Sequence, residues 1–136
     1  MPNRAFKRRP GSNKNGTGNL IIGYAELRND GTDDRTGSHN LVIGQLNNYA
    51  GWGGIVAGSL NSITGAYACV EGGFANTASG DHSLVSGGVQ NLASGFGSSV
   101  SGGLANIAGG VNTGGDYTSI LGGNAISVTT QFGHFP

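Results

Sequence analysis

Asn61, Asn76, Asn91 and Asn106 recur at intervals of 15 residues, and the stretches between them are variants of one row. Written out, they are SITGAYACVEGGFAN (62–76), TASGDHSLVSGGVQN (77–91) and LASGFGSSVSGGLAN (92–106), preceded by the 14-residue row NYAGWGGIVAGSLN (48–61). A β-branched column, Ile21, Val42, Val56, Val70, Val85, Val100 and Ile120, runs through the chain at spacings of 21, 14, 14, 15, 15 and 20. Tyr49, Ile63, Ala78, Ala93 and Ala108 form a second column. Glycines close the half-rows at Gly51, Gly65, Gly80, Gly95 and Gly110, and again at Gly58, Gly72, Gly87, Gly102 and Gly122. A period this short excludes helical repeats, whose units need about 30 residues or more. It also opposes helix locally, since each interior glycine costs roughly 1 kcal/mol relative to alanine. The pattern predicts two short strands per row, each ending at a glycine where the backbone can turn. Rows stacked in parallel at about 4.8 Å make an all-β parallel β-solenoid of about seven coils, roughly 34 Å long.

Side chains alternate faces along a strand. The valine column therefore points inward, and Glu71, Ser86 and Ser101 point outward. Two readings of the Asn column stand side by side: a ladder of stacked amides, or residues that each take a left-handed turn. The core per row is small, row 77–91 offering Ala78, Leu84, Val85 and Val89 and little else, and Leu41, Ile55 and Leu84 lie on the opposite face from the valines. A chain this short is poor in buried surface. Partial apolarity on the outer face therefore predicts burial between copies, in an obligate homo-oligomer.

Seven basic and seven acidic residues cancel, but not uniformly. Arg4, Lys7, Arg8, Arg9 and Lys14 fall in the first 15 positions, leaving Arg28 and Arg35 against seven acids, a net −5 for the rest. Residues 1–15 thus read as a basic arm, and 16–128 as the repeat domain, followed by a tail over 129–136. The nearest acidic object for the arm is the body of another copy. Nucleic acid is not expected, because the body is acidic and only Phe6 interleaves the basic residues. Membrane insertion is not expected either, since the longest apolar run is Leu20-Ile21-Ile22. No apolar stretch follows Arg8-Arg9, so this chain shows no secretory signal of its own.

Chemistry-bearing motifs are few. No Lys follows position 14, so the glycines do not form a phosphate loop. The Gly-Gly rows lack the aspartate of calcium-binding nonapeptides. His39, His82 and His134 lack ligand spacing, and Cys69 takes the place of Leu84 and Ser99 in neighbouring rows, as a small packed residue. Two insertions break the period. One, ELRNDGTDDRTG (26–37), holds Asp30, Asp33 and Asp34, weak candidates for a calcium ion, in what otherwise reads as a solvated loop or a partner contact. The other, NTGGDY (112–117), holds Asp116. No catalytic residues and no cofactor are expected.

The rows SLVSGGVQNLASG and SSVSGGLANIAGG resemble the head repeats of trimeric autotransporter adhesins, and similar rows occur in bacterial surface proteins and phage fibres. The resemblance covers 41–125 well and extends to 16–40 through GTGNLIIG; rows of 15 with a doubled glycine depart from the family's 14. It implies a left-handed parallel β-roll, three chains side by side and no active site. The expected function is a non-catalytic structural or binding protein outside the cell or at its surface, with a host-surface or matrix ligand as partner. A filament subunit joined through the arm is the first alternative. An ice- or glycan-binding face of Ser79, Ser94, Ser86 and Ser101 is the second.

Overall fold

The computed structural model of the chain describes residues 16–109, 116–132 and 134–136. The basic arm, with Arg4, Lys7, Arg8, Arg9 and Lys14, lies outside the described residues, as does Gly110. Fourteen strands follow one another with no helix among the described residues. In chain order they are β1 (Leu20–Ile22), β2 (Leu41–Gln45), β3 (Asn48–Tyr49), β4 (Ile55–Ser59), β5 (Ser62–Ile63), β6 (Cys69–Val70) and β7 (Thr77–Ala78). There follow β8 (Leu84–Val85), β9 (Leu92–Ala93), β10 (Ser99–Val100), β11 (Ile107–Ala108), β12 (Ser119–Ile120), β13 (Ser127–Val128) and β14 (His134–Phe135).

They sort into two all-parallel sheets, β1-β2-β4-β6-β8-β10-β12-β14 and β3-β5-β7-β9-β11-β13. The chain alternates between the sheets, so each coil contributes one strand to each, giving a β-solenoid of about six turns. The first sheet overhangs the second by a strand at each end. One overhang is β14, which pairs with β12, so the stretch expected to be a tail (129–136) instead begins another rung.

The register is that of the sequence columns. Val56 pairs with Val70, Val70 with Val85 and Val85 with Val100, all four fully buried. Facing them across the coil are Tyr49, Ile63, Ala78, Ala93 and Ala108, also buried. Bulk is shared along the stack: Ile63 sits in the coil of Val56, whereas alanines answer Val70, Val85 and Val100. Ile21, at the first rung, is the exception in its column at 36% exposed, because β1 is the edge of its sheet. Glu71, Ser86 and Ser101 face solvent as the alternation requires.

A cross-section this narrow leaves the turn carbonyls and amides near the interior, where each needs a partner. The Asn column supplies them. Asn91 Oδ1 accepts the backbone N–H of Asn106 at 3.0 Å, while its Nδ2 donates to Gly87 O at 3.0 Å and Gly103 O at 3.1 Å. The same pattern repeats from Asn47 through Asn61, Asn76 and Asn106, ending on the N–H of Ile126. The ladder is therefore real, but it runs from side-chain amide to backbone and not from amide to amide. The left-handed turn falls one residue earlier, at Leu46, Leu60, Ala75, Gln90, Ala105 and Ala125, all with φ between 55° and 58°. Each Asn follows such a corner and bridges it to the next coil.

The glycines also divide differently from their expected grouping. Gly72, Gly87, Gly102 and Gly122 have room for a side chain; the demanding position is the second of each pair. At Gly73, Gly88 and Gly103, φ is 84°, 83° and 93°, and a Cβ would collide with the carbonyl of the equivalent glycine one coil on. In β4 the single Gly58 fills this role; the extra residue of the 15-residue rows enters just before it, between Val70 and Gly73 for example. That insertion shortens the five-residue strand β4 to two residues in β6, β8 and β10.

Gly88→Ala is therefore expected to unfold or severely destabilise the solenoid, while Gly87→Ala shifts the denaturation midpoint little. Asn91→Ala, which strands one buried N–H and weakens two carbonyl contacts, should cost about 3 kcal/mol in chemical denaturation.

Candidate functional site

Each coil has a second left-handed corner, opposite the Asn column. It is occupied by His39, Tyr67, His82, Tyr117 and Phe132, with φ of 55–61°, and by Gly53 and Gly97 at 69° and 61°. An aromatic residue in this region is uncommon. Here the corner is held by its own N–H, which donates to the previous coil: Tyr67 N to Trp52 O at 2.7 Å, His82 N to Ala66 O at 2.8 Å, Tyr117 N to Phe96 O at 2.7 Å. In the two coils that place glycine at the corner, the preceding residue, Trp52 or Phe96, brings the ring instead. A Cβ at Gly53 or Gly97 would press on the ring of Tyr67 or Tyr117.

The result is an uninterrupted ladder of seven rings, His39, Trp52, Tyr67, His82, Phe96, Tyr117 and Phe132, with successive centroids 4.8–5.7 Å apart. Tyr67 lies flat on His82, at 7°, and Tyr117 on Phe132, at 10°. Trp52 and Phe96 stand at 65–78° to both their neighbours. The Trp52 indole N–H donates to His39 Nδ1 at 3.0 Å. The ladder is substantially open to solvent, with Tyr67, Phe96 and Tyr117 at 45%, 41% and 52% exposed. Beside it, Asp81 Oδ1 accepts the N–H of Ala66 at 2.8 Å, and Asp116 Oδ1 that of Phe96 at 3.1 Å. Column reading misses this ladder because the ring shifts by one position between coils; the glycine that follows Trp52 and Phe96 is the compensating signal.

A second exposed line occupies the other edge. Phe74, Val89 and Leu104 bridge one another coil to coil and are 46%, 38% and 41% exposed. Close by in sequence, Leu92 and Ile107 point outward from the second sheet, half-buried and exposed respectively. On the first sheet, Ile55 is exposed, while Leu41, Cys69 and Leu84 are half-buried in the outward positions expected of them.

The first insertion does not extend away as a solvated loop. Residues 32–37 run beside β3: Asn48 Nδ2 donates to Thr32 O at 2.6 Å, and Tyr49 N to Asp34 O at 2.9 Å. The intervening excess folds back through Arg28, whose guanidinium donates to Leu46 O, Leu60 O and Asn61 O at 2.8, 2.8 and 2.9 Å. Burial pushes the Arg28 pKa down, against the opposing pull of Asp30 and Asp33. Arg35 donates to Ala25 O and Glu26 O, and approaches Asp33 at 3.4 Å.

The three candidate aspartates are spent on these turns. Asp30 accepts from Thr32, whose hydroxyl and N–H hold its carboxyl below the usual range. Asp33 takes the N–H of Arg28, and Asp34 the N–H and hydroxyl of Thr36. Among the described residues no three His, Cys, Asp or Glu side chains gather as metal ligands would. His39 and His82 belong to the ring ladder, while His134 meets the Ser119 hydroxyl at 2.7 Å. Of the outward serines, Ser94 turns its hydroxyl onto Gly109 O at 2.7 Å.

Arg28→Ala should raise the protease sensitivity of residues 24–36 and lower stability by about 1–2 kcal/mol, given charge-assisted bonds at a half-buried site. Arg28→Lys, which cannot fork across two coils, is expected to restore little.

Compared with family models, with curated proteins and with solved structures, the chain matches none of them.

Proposed function

We propose that this chain is a non-catalytic structural and binding module, a β-roll of the adhesin-head kind that works outside the cell or at its surface as a homotrimer. The observation that carries the reading is the exposed apolar line Phe74–Val89–Leu104, continued around its corner by Leu92 and Ile107. Contiguous apolar surface of this kind marks an interaction site. It runs over three successive coils, with Ser59 and Asn124 at the equivalent positions on either side, so a second roll lying alongside would meet it over those three rungs. The asparagines repeat with the same period and bridge coils, and Asp81 and Asp116 cap turns. A surface built this way offers length and regularity for adhesion.

A second reading, end-to-end polymerisation, is favoured by β1. This edge strand is wholly apolar, with Leu20 62% and Ile22 55% exposed. Uncharged open edges pair readily with other strands.

Sedimentation equilibrium at micromolar concentration tests the first reading, with a mass three times that of the chain expected. Val89→Asp and Leu104→Asp together should yield a smaller species with unchanged far-UV circular dichroism. A folded monomer from the unaltered chain would exclude the trimer, and filaments under electron microscopy would favour the end-to-end alternative.

A further inference from the structure

The ring ladder has a feature that neither adhesion nor trimerisation uses. Tyr67 and His82 stack flat along the column, so a ring perpendicular to them turns its faces away from the column axis. Phe96 is such a ring, at 69° to His82 and 72° to Tyr117, and it is 41% exposed. An acidic group stands next to it. The Asp116 carboxylate accepts the N–H of Phe96 itself, and the Asp81 carboxylate lies two rungs towards the N-terminus, on the N–H of Ala66, the residue before Tyr67. An aromatic face beside a carboxylate is the surface chemistry that a guanidinium or ammonium group prefers. Trp52, three coils towards the N-terminus, is the other ring turned this way.

The chain carries a cationic segment of matching charge. Five of its seven basic residues lie within residues 1–15, and the remainder of the chain has two basic residues against seven acidic ones, a net −5. Arg28 and Arg35 are already committed to carbonyls. The place where the segment joins the body is also informative. Gly18 lies against the imidazole of His39, the first ring of the ladder, where a Cβ would sit 3.4 Å from His39 Cδ2. From there, 15 extended residues reach up to about 50 Å. The seven-rung ladder spans only about 29 Å at one coil spacing per rung.

We propose that residues 1–15 dock along the aromatic ladder of their own chain, past the Asp81 carboxylate at the rung of Tyr67 and with a basic side chain over the face of Phe96 beside Asp116. Each exposed ion pair or cation–aromatic contact is weak by itself. The tether compensates, because a short linker gives an effective concentration on the order of millimolar. Docking within the chain covers the ladder and removes the arm as a joint between copies. Assembly is then left to the apolar line on the opposite edge and to the open strand at the end.

Trp52, the single tryptophan, lies on the path and reports on it. The test measures acrylamide quenching of Trp52 in the full chain, and in a full-length variant with Arg4, Lys7, Arg8, Arg9 and Lys14 all changed to Glu. In low salt the unaltered chain should be quenched about twofold less than the variant, and about 1 M salt should abolish the difference by screening. The protection should be independent of protein concentration. Asp81→Asn with Asp116→Asn keeps the Oδ1 acceptors that cap the turns, so the fold is retained, and should remove most of the protection. Far-UV circular dichroism verifies that fold in every sample. Equal quenching of the unaltered chain and the Glu variant would overturn the proposal. So would protection that grows with protein concentration, which means a second copy's arm, or protection that survives loss of both carboxylates, which places the arm elsewhere.

Discussion

Everything in this molecule depends on satisfying the backbone of corners that lie close to a very thin core. A coil of 15 residues encloses little more than a valine and an alanine, as with Val85 and Ala93. Apolar burial on that scale is small against the conformational entropy of ordering a whole coil. Cohesion therefore comes from hydrogen bonds that continue from coil to coil, and from the cost of leaving any of them unmade. The Asn column is the key device, because one side chain serves a donor and two carbonyls that no strand can reach. No coil is complete without its neighbours, as in repeat proteins generally.

The two left-handed corners of each coil are built differently. At one, small or flexible residues such as Ala75, Gln90 and Ala105 take positive φ, and the asparagine behind them provides the bridge. At the other, rings take positive φ and bridge by contact. Aromatic pairs contribute about 0.5–1.5 kcal/mol each beyond their buried area. Hence the ladder offsets strain at its own corner while leaving Phe96 exposed and Trp52 half-buried. One edge is thus sealed by hydrogen bonds and flanked by the apolar line of Phe74, Val89 and Leu104, and the other presents aromatic and acidic groups. The two edges of the solenoid therefore differ in surface chemistry.

The repeat, the parallel stacking, the inward valine column and the outward Glu71, Ser86 and Ser101 were legible in the sequence, because each follows from period and alternation alone. Strand pairing between equivalent residues leaves no freedom once the period is fixed. What the sequence could not settle turned on single-residue offsets. Gly87 and Gly88 look alike on paper, yet only Gly88 has positive φ and a neighbouring carbonyl where a Cβ would go. The ring ladder hides for the same reason, since Trp52 and Phe96 stand one place earlier than Tyr67 or His82.

The sequence by itself thus determined the β-solenoid, its two sheets and its inward valine column, since a period of 14–15 residues with recurring glycine and β-branched positions admits few other solutions; Val89, counted with the core of its row, lies instead on the exposed edge. Only the tertiary structure decided how the corners are made. Whether an asparagine stacks on its neighbour or reaches for backbone, and whether an insertion projects or lies back through Arg28, depends on where carbonyls of the adjacent coil point. Those directions are set in three dimensions by the coil below, and no single row of the sequence contains them.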